Sequence, residues 1–294
     1  MDGNINRKGS VSMVVSTNAP ALAWMNECEG WLALGRASSV MYRVEERHGL
    51  ICAWRTADVD FMPNFIHVPP GLAERLPAIL ARRDLAAAVE TSDAVTEIRL
   101  LAPDKPITGR LESALAEAGF LKSDAMPLMV RVREADDLPA AAILDIRRVD
   151  PKEDGAGYAD AFRVIRHSFG GPDVLNRFFV PDDGTVIPYV AYFGGKAVSA
   201  AVVWPFRNVY GIYSVSTLEA YRGRGFATRL LRRMLQDGHA FAFSSLRTTD
   251  ALIPLYERIG YRVAGRCLCF RNRTVISDRQ RGIIAWIRQK AFSR

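Results

Sequence analysis

Two arginines alternate with two glycines at Arg222, Gly223, Arg224 and Gly225, and Phe226, Ala227 and Thr228 follow. Residue types in this order suit an anion. The glycines carry no Cβ, so a ligand can approach the backbone and φ can turn positive. The arginines add full charges and forked donors that match phosphate oxygens. If a helix starts at this point, its first amides lack intrahelical acceptors and its dipole places partial positive charge there. A diphosphate is the expected guest.

The flanking periodicities supply that helix and the strand before it. Ile212, Tyr213, Val215 and Thr217 are β-branched or aromatic and predict a strand over 210–217. After the turn, Phe226, Leu230 and Met234 recur at every fourth residue, as do Ala227, Leu231 and Leu235. That stripe predicts an amphipathic helix with Thr228, Arg229, Arg232, Arg233 and Gln236 on its other side.

No Gly-Lys-Ser/Thr follows the turn, which excludes the nucleoside-triphosphate loop. The turn is also too short for the dinucleotide fingerprint, and no acidic residue suited to a ribose stands at the expected distance. Arg-x-x-Gly-x-Ala, carried by Arg222, Gly225 and Ala227, resembles the pyrophosphate motif of the GCN5-related N-acetyltransferase (GNAT) family. The resemblance implies acetyl-coenzyme A as cosubstrate, with its diphosphate on Arg222, Gly223, Arg224, Gly225, Phe226, Ala227 and Thr228. It also implies that backbone amides of Val215, Ser216 and Thr217, on a strand splayed by a bulge, face the pantetheine arm and thioester.

Leu255-Tyr256-Glu257-Arg258-Ile259-Gly260-Tyr261 is similar to the family's Leu-Tyr-x-x-x-Gly-Phe segment. On that resemblance Tyr256 is the general acid that protonates the departing sulfur. The other reading of Tyr256 is packing against Leu252 and Ile259. No general base is assigned. The strand 212–217 carries no carboxylate, Glu219 lies in a turn, and Tyr213, His167, Asp250 and Glu257 have no specific claim.

The chain has 294 residues, of which 49% are hydrophobic and 24% charged. Those proportions predict a sizeable core and, by length, two domains. Cys28, Cys52, Cys267 and Cys269 form no Cys-x-x-Cys pair and the histidines are scattered, so neither a metal site nor structural disulfides are expected. The net charge of +7 is concentrated from Arg262 onward, where nine basic residues face one acid, Asp278. The remainder is near neutral, so a nucleic-acid partner is not expected. No apolar run approaches the roughly twenty residues of a membrane span. The lead-in 1–18 lacks the pattern of a signal peptide, and a cytoplasmic protein is the expectation.

Periodicity and turn signals place helices over 20–34, 71–83, 107–118, 157–169 and 250–259. Strands are predicted over 39–44, 50–55, 61–68, 96–101, 126–132, 145–149, 188–193, 197–204, 240–247 and 261–271. The expected division is a disordered lead-in 1–18, an N-terminal α/β domain 19–137, a GNAT domain 143–273 and a basic amphipathic tail 274–294. The class is α/β (α+β) with a mixed sheet.

Leu115 to Phe120 and Leu255 to Tyr261 both end a helix in Gly-aromatic before a strand. The echo reads either as a tandem arrangement with a degenerate N-terminal GNAT copy or as ordinary helix capping. The activity implied is acetyl transfer to a small-molecule or peptide amine. The alternatives are a non-catalytic acyl-coenzyme A-binding regulator and, through the tail, a nucleic-acid-associated protein. The tail is also read as packing on the domain or on a homodimer partner.

Overall fold

The computed structural model describes residues 19–32, 42–56, 63–92, 94–102, 105–132, 144–150, 152–169 and 186–272. The predicted lead-in, the inter-unit linker around 134–142 and the basic tail lie outside the described residues.

Helix α1, residues 19–32, is rich in Ala, Leu, Trp and Met, all compatible with helix, and has Pro20 in its first turn. None of its residues is exposed.

Strands β1 (Tyr42–Arg47) and β2 (Leu50–Arg55) form a hairpin with a two-residue turn at His48-Gly49, and β3 (Asn64–Val68) adds antiparallel to β2. The turn is shorter than the 45–49 connection expected. Beyond β3 the predicted single helix over 71–83 is instead three pieces. A 3₁₀ turn covers Ala73–Arg75, α2 covers Leu76–Leu80, and α3 covers Arg83–Glu90. Pro77 sits at the start of α2, and Arg82 is extended, which breaks the helix before α3. Strand β4 (Thr96–Leu101), helix α4 (Lys105–Glu117) and the long β5 (Phe120–Val132) complete the first unit.

The second unit runs β6 (Asp145–Arg148), α5 (Gly155–Phe169), β7 (Ile187–Phe193), β8 (Lys196–Phe206), β9 (Val209–Thr217), α6 (Phe226–Asp237), β10 (Phe243–Arg247), α7 (Ile253–Glu257) and β11 (Arg262–Asn272). Strand β10 begins three residues later than predicted. The helix expected over 250–259 is a 3₁₀ turn, Asp250–Leu252, followed by α7.

The described strands join in one mixed sheet of order β1-β2-β3-β4-β11-β5-β10-β9-β8-β7-β6. The two units repeat a pattern. A meander of three strands ends in a strand that is followed by helix and a parallel neighbour, β3 with β4 and β9 with β10. Each unit then closes with a helix and a long strand. Those closing strands are exchanged. β5 of the first unit pairs with β10 of the second, while β11 of the second pairs with β4 of the first. The two exchanged strands also pair with each other, from Arg262↔Val130 to Asn272↔Phe120.

The pleat gives each strand two faces. On one face α1 and α5 pack over Phe65, Leu128, Val130, Val190, Ala200, Val202, Trp204, Val209, Phe243, Cys267 and Cys269. On the other, α2, α3 and α4 cover the first unit's strands, and α6 and α7 cover the second's. Cys267 and Cys269 share the α1 face as buried thiols, as their spacing predicts. Leu230, Leu231 and Met234 of α6 are fully buried; each such side chain contributes about 1.5–3 kcal/mol.

Candidate active site

Strands β9 and β10 pair at only three positions, Phe243↔Val209, Ser244↔Tyr210 and Ser245↔Gly211. Beyond Gly211 they diverge, while β10 keeps its ladder with β5 through Arg247↔Leu128. Among the described residues, the edge of β9 over 212–217 therefore has no strand against it on that side, and a wedge opens between the two.

The cause is local. The β8–β9 register shifts between Ala200↔Ser216 and Val202↔Tyr213, so β9 carries one extra residue there. Ser214 sits at φ 54°, a region non-glycine residues seldom occupy. Such a bulge bends its strand and increases twist. Side chains lock it: Ser199 Oγ donates to Ser216 O at 2.7 Å, and Ser216 Oγ donates to Ser214 O at 2.9 Å. Ser199 and Thr217 hydroxyls meet at 2.9 Å.

The wedge leads to the Arg-Gly turn. A 3₁₀ turn, Glu219–Tyr221, follows β9, and Arg222 is extended. Gly223 and Gly225 have φ 74° and 75°, and a Cβ at either would meet nothing within 4 Å. Gly225 is the N-cap of α6, with no side chain capping the helix and no acid in its first turn. The first amides of α6 thus remain for a ligand. Phe226 is buried against Phe193, ring centroids 5.3 Å apart, and anchors the turn. Ala227 and Thr228 are partly buried in the first turn.

Arg222 is directed back to β9, its Nε donating to Thr217 O at 3.1 Å. It braces the turn rather than reaching outward. Arg224 is exposed, and its guanidinium lies 5.5 Å from the Tyr221 ring, as does Lys196 Nζ. Two cations therefore flank the turn.

Val215 packs with the α6-face cluster that holds Tyr256, Ile212, Leu246, Ile259 and Tyr261. Tyr256 is buried, and its ring meets Tyr261 edge-on at 6.0 Å. Burial pushes its phenol up to about 12, with a Thr248 hydrogen bond acting in the opposite direction. Leu252, proposed from sequence as a packing neighbour, is an exposed residue. Among the residues weighed as bases, Glu219, His167 and Glu257 are exposed. Asp250 is exposed and paired with Arg266 at 2.7 Å.

The opposite face of the wedge is walled by α1, which the sequence did not connect with this site. Asn26 Nδ2 donates to Trp204 O at 2.8 Å, and the Tyr213 hydroxyl donates to Asn26 Oδ1. A Cβ on Gly211 would fall 2.0 Å from that oxygen, so α1 sits directly on β9 here. Glu27 pairs with Arg247 Nη2 at 3.0 Å. Burial, then the Glu27 carboxylate, push the Tyr213 phenol well above its ordinary value. Glu27 thus pairs with Arg247 of β10, and its neighbour Asn26 accepts from Tyr213 of β9. The available signal was the polar run of Asn26, Glu27 and Glu29 in a helix of otherwise largely apolar residues.

The first unit has no such opening. β3 and β4 pair along the whole of β3, from Asn64↔Thr96 to Val68↔Leu100. Its turn is Pro69-Pro70-Gly71, two residues of which have no N–H to offer, and Glu74 puts a negative charge in the following turn. Among the described residues no group of His, Cys, Asp and Glu could hold a metal ion, and no helix is long and apolar enough to cross a membrane.

Residues 184–263 match the family model described as an acetyltransferase (GNAT) domain. No curated protein sequence matches the chain. Among solved structures, a GCN5-related N-acetyltransferase from Kribbella flavida aligns over 85% of this chain and 95% of its own, at 17% identity and TM-score 0.60. One from Sphaerobacter thermophilus aligns over 76% of both chains at 14% identity and TM-score 0.55. A tandem GNAT protein from the clavulanic acid biosynthesis pathway covers 85% of this chain and 88% of its own, at 13% identity and TM-score 0.54. The fold is the GNAT fold, with the tandem arrangement.

Proposed function

Since residues 184–263 match the model of a GNAT acetyltransferase domain, we propose that the protein transfers an acetyl group from acetyl-coenzyme A to a primary amine by direct attack. The observation that carries this reading is the wedge between β9 and β10 running into an uncapped, glycine-lined helix start.

In this reading the diphosphate accepts hydrogen bonds from the amides of Gly223 to Ala227, with Arg224 and Lys196 adding charge beside it. The pantetheine arm lies in the wedge along the free edge of β9. Amides of Val215, Ser216 and Thr217 polarise the thioester carbonyl, and a preorganised donor at a developing oxyanion contributes about 3–4 kcal/mol. The neutral amine attacks the carbonyl carbon, the C–S bond breaks, and the amide nitrogen loses a proton to solvent.

Tyr256 meets the departing sulfur. At a pKa of about 12 its phenol is protonated throughout the neutral range. A free thiol ionises near 8.5, so outright transfer from Tyr256 is uphill. The phenol acts first as a hydrogen-bond donor to sulfur as charge develops, and the proton follows. Holding amine and thioester together supplies much of the remaining acceleration.

The test is thiol release from acetyl-coenzyme A with a panel of primary amines. Tyr256→Phe is expected to lower kcat by about 10²-fold, within the range of general-acid contributions, with coenzyme A affinity unchanged by calorimetry. Tight coenzyme A binding without turnover of any amine would overturn acetyl transfer and favour an acyl-coenzyme A-binding regulator, a role compatible with the absence of any carboxylate on β9.

A further inference from the structure

The wedge has two faces with different walls. On the α6 face stand the glycine turn, Tyr256 and Val215. On the other face stand Tyr213, Arg247 and the α1 pair Asn26 and Glu27. A cosubstrate held at the α6 N-terminus fills the first face, so the nucleophile has to reach the thioester from the second. We infer that Glu27, supplied by the helix that precedes the first unit, is the acceptor-binding residue of the site and selects cationic amines. The inference rests on the acetyl-transfer reading above.

Three observations carry it. First, Glu27 pairs with Arg247 of β10, which lies beyond the last β9–β10 pair at Ser245↔Gly211, and its neighbour Asn26 accepts from Tyr213 of β9, on the other side of the gap. Second, its partners fix it there. Arg247 ends β10 and holds the carboxylate at 3.0 Å, while its Nη1 donates to Cys267 Sγ at 3.5 Å. Asn26 ties the adjacent turn of α1 to β8 and β9. Third, Glu27 is a carboxylate on a helix face otherwise packed with Ala19, Ala23, Trp24, Cys28 and Trp31. A buried carboxylate is costly unless it is paired, and a plain packing role is met more cheaply by an apolar residue.

An amine arriving as an ammonium meets a carboxylate that accepts its N–H, and the negative charge raises its local concentration. Glu27 then orients the nitrogen toward the thioester. The proton lost before attack goes to solvent, so Glu27 is a binding residue in this account and takes up no proton. Arg247 and Asn26 are positioning residues, acting through Glu27 and Tyr213.

The experiment compares benzylamine, a cation at pH 7.5, with aniline, which is neutral, as nucleophiles toward acetyl-coenzyme A. The readout is kcat/KM for thiol release with each. The wild type is expected to favour benzylamine. Glu27→Gln is expected to cut that preference at least tenfold through KM for benzylamine, with coenzyme A affinity near wild type. Because Glu27→Gln leaves Arg247 unpaired and can fail to fold, Glu27→Gln/Arg247→Gln, which removes both charges together, is measured beside it and is expected to show the same loss. Equal loss for both nucleophiles, or an unchanged preference, would overturn the assignment of Glu27 while leaving acetyl transfer intact. A wild type that binds coenzyme A but acetylates neither amine would overturn acetyl transfer and this inference with it.

Discussion

Replacing Gly225 with alanine separates what the turn does for folding from what it does for the cosubstrate. Gly225 has φ 75°, and its would-be Cβ points into open space. An alanine held in the left-handed region costs about 1–2 kcal/mol, with no added clash in the free protein. Gly71, in the equivalent turn of the first unit, has φ 84° and the same open surroundings. Gly71→Ala should therefore lower stability by a similar amount. The two variants part company on ligand. A methyl at 225 occupies the space where a diphosphate oxygen would approach the α6 amides, whereas Pro69 and Pro70 leave the first turn unable to bind one. Loss of one hydrogen bond to a charged group is about 1.5–3 kcal/mol, or roughly 10- to 150-fold in Kd. Urea unfolding measures the first effect and calorimetry with coenzyme A the second. Wild-type affinity in Gly225→Ala would refute the placement of the diphosphate. Equal weakening in both variants would show a global effect and refute the local argument.

Two further outcomes follow from buried charge. Glu97 joins β4 to the exchanged strand β11, holding Arg99 at 2.6 Å and Arg271 at 2.5 Å; Glu97→Gln should cost about 3 kcal/mol by urea unfolding, because it strands two guanidiniums. Burial raises the Glu97 carboxyl, but Arg99 and Arg271 more than offset that and hold it below its usual value. Its contribution is thus present above the unfolded pKa of about 4.3 and lost as pH falls through the lower folded value, and Glu97→Gln should lack that acid-labile component. His67 is fully buried beneath Trp31, ring centroids 5.0 Å apart, and among the described residues neither ring nitrogen is hydrogen-bonded. Burial, then Arg99 and Arg247, hold its pKa well below the ordinary value. The folded ring stays neutral while the unfolded one takes a proton below about pH 6.5, so stability should fall by about 1.4 kcal/mol per pH unit below that point. His67→Phe should abolish that slope in urea melts at pH 7.5, 6.5 and 5.5; an unchanged slope would refute it.

Local signals read well where one residue type has one physical use. Gly223 and Gly225 between an aromatic and β-branched run and a fourfold apolar stripe specify strand, turn and helix, and the structure has all three. β2 and β4 begin and end where alternation and turn residues put them. Three features were not legible. The break of the expected helix over 71–83 depends on Arg82 turning extended, and nothing in its side chain forces that. The exchange of β5 and β11 is a choice of partner, and both strands have the same alternating character whichever neighbour they take. Glu27 and Arg247 are 220 residues apart in sequence, so only the fold reveals the pair.

The exchange explains why one unit can keep a gap that the other closes. Pulling β9 from β10 removes ladder hydrogen bonds, each a net contribution of about 0.5–1.5 kcal/mol, and leaves β10 dependent on its other neighbour. That neighbour is β5, which belongs to the first unit and pairs with β10 along the full length of β10. β5 is in turn fixed along β11, and β11 is fixed to β4 by its ladder and by the Glu97–Arg271 pair. The fully zipped β3–β4 ladder thus braces, across the two intervening strands β11 and β5, the strand that the wedge leaves unsupported. α1 completes the brace from one face, with the Trp24 indole donating to Val68 O at the end of β3 and Asn26 tied to Trp204 O on β8. On this account the first unit keeps its sheet and loses its turn because its work is to hold the second unit's wedge open and to line it with α1.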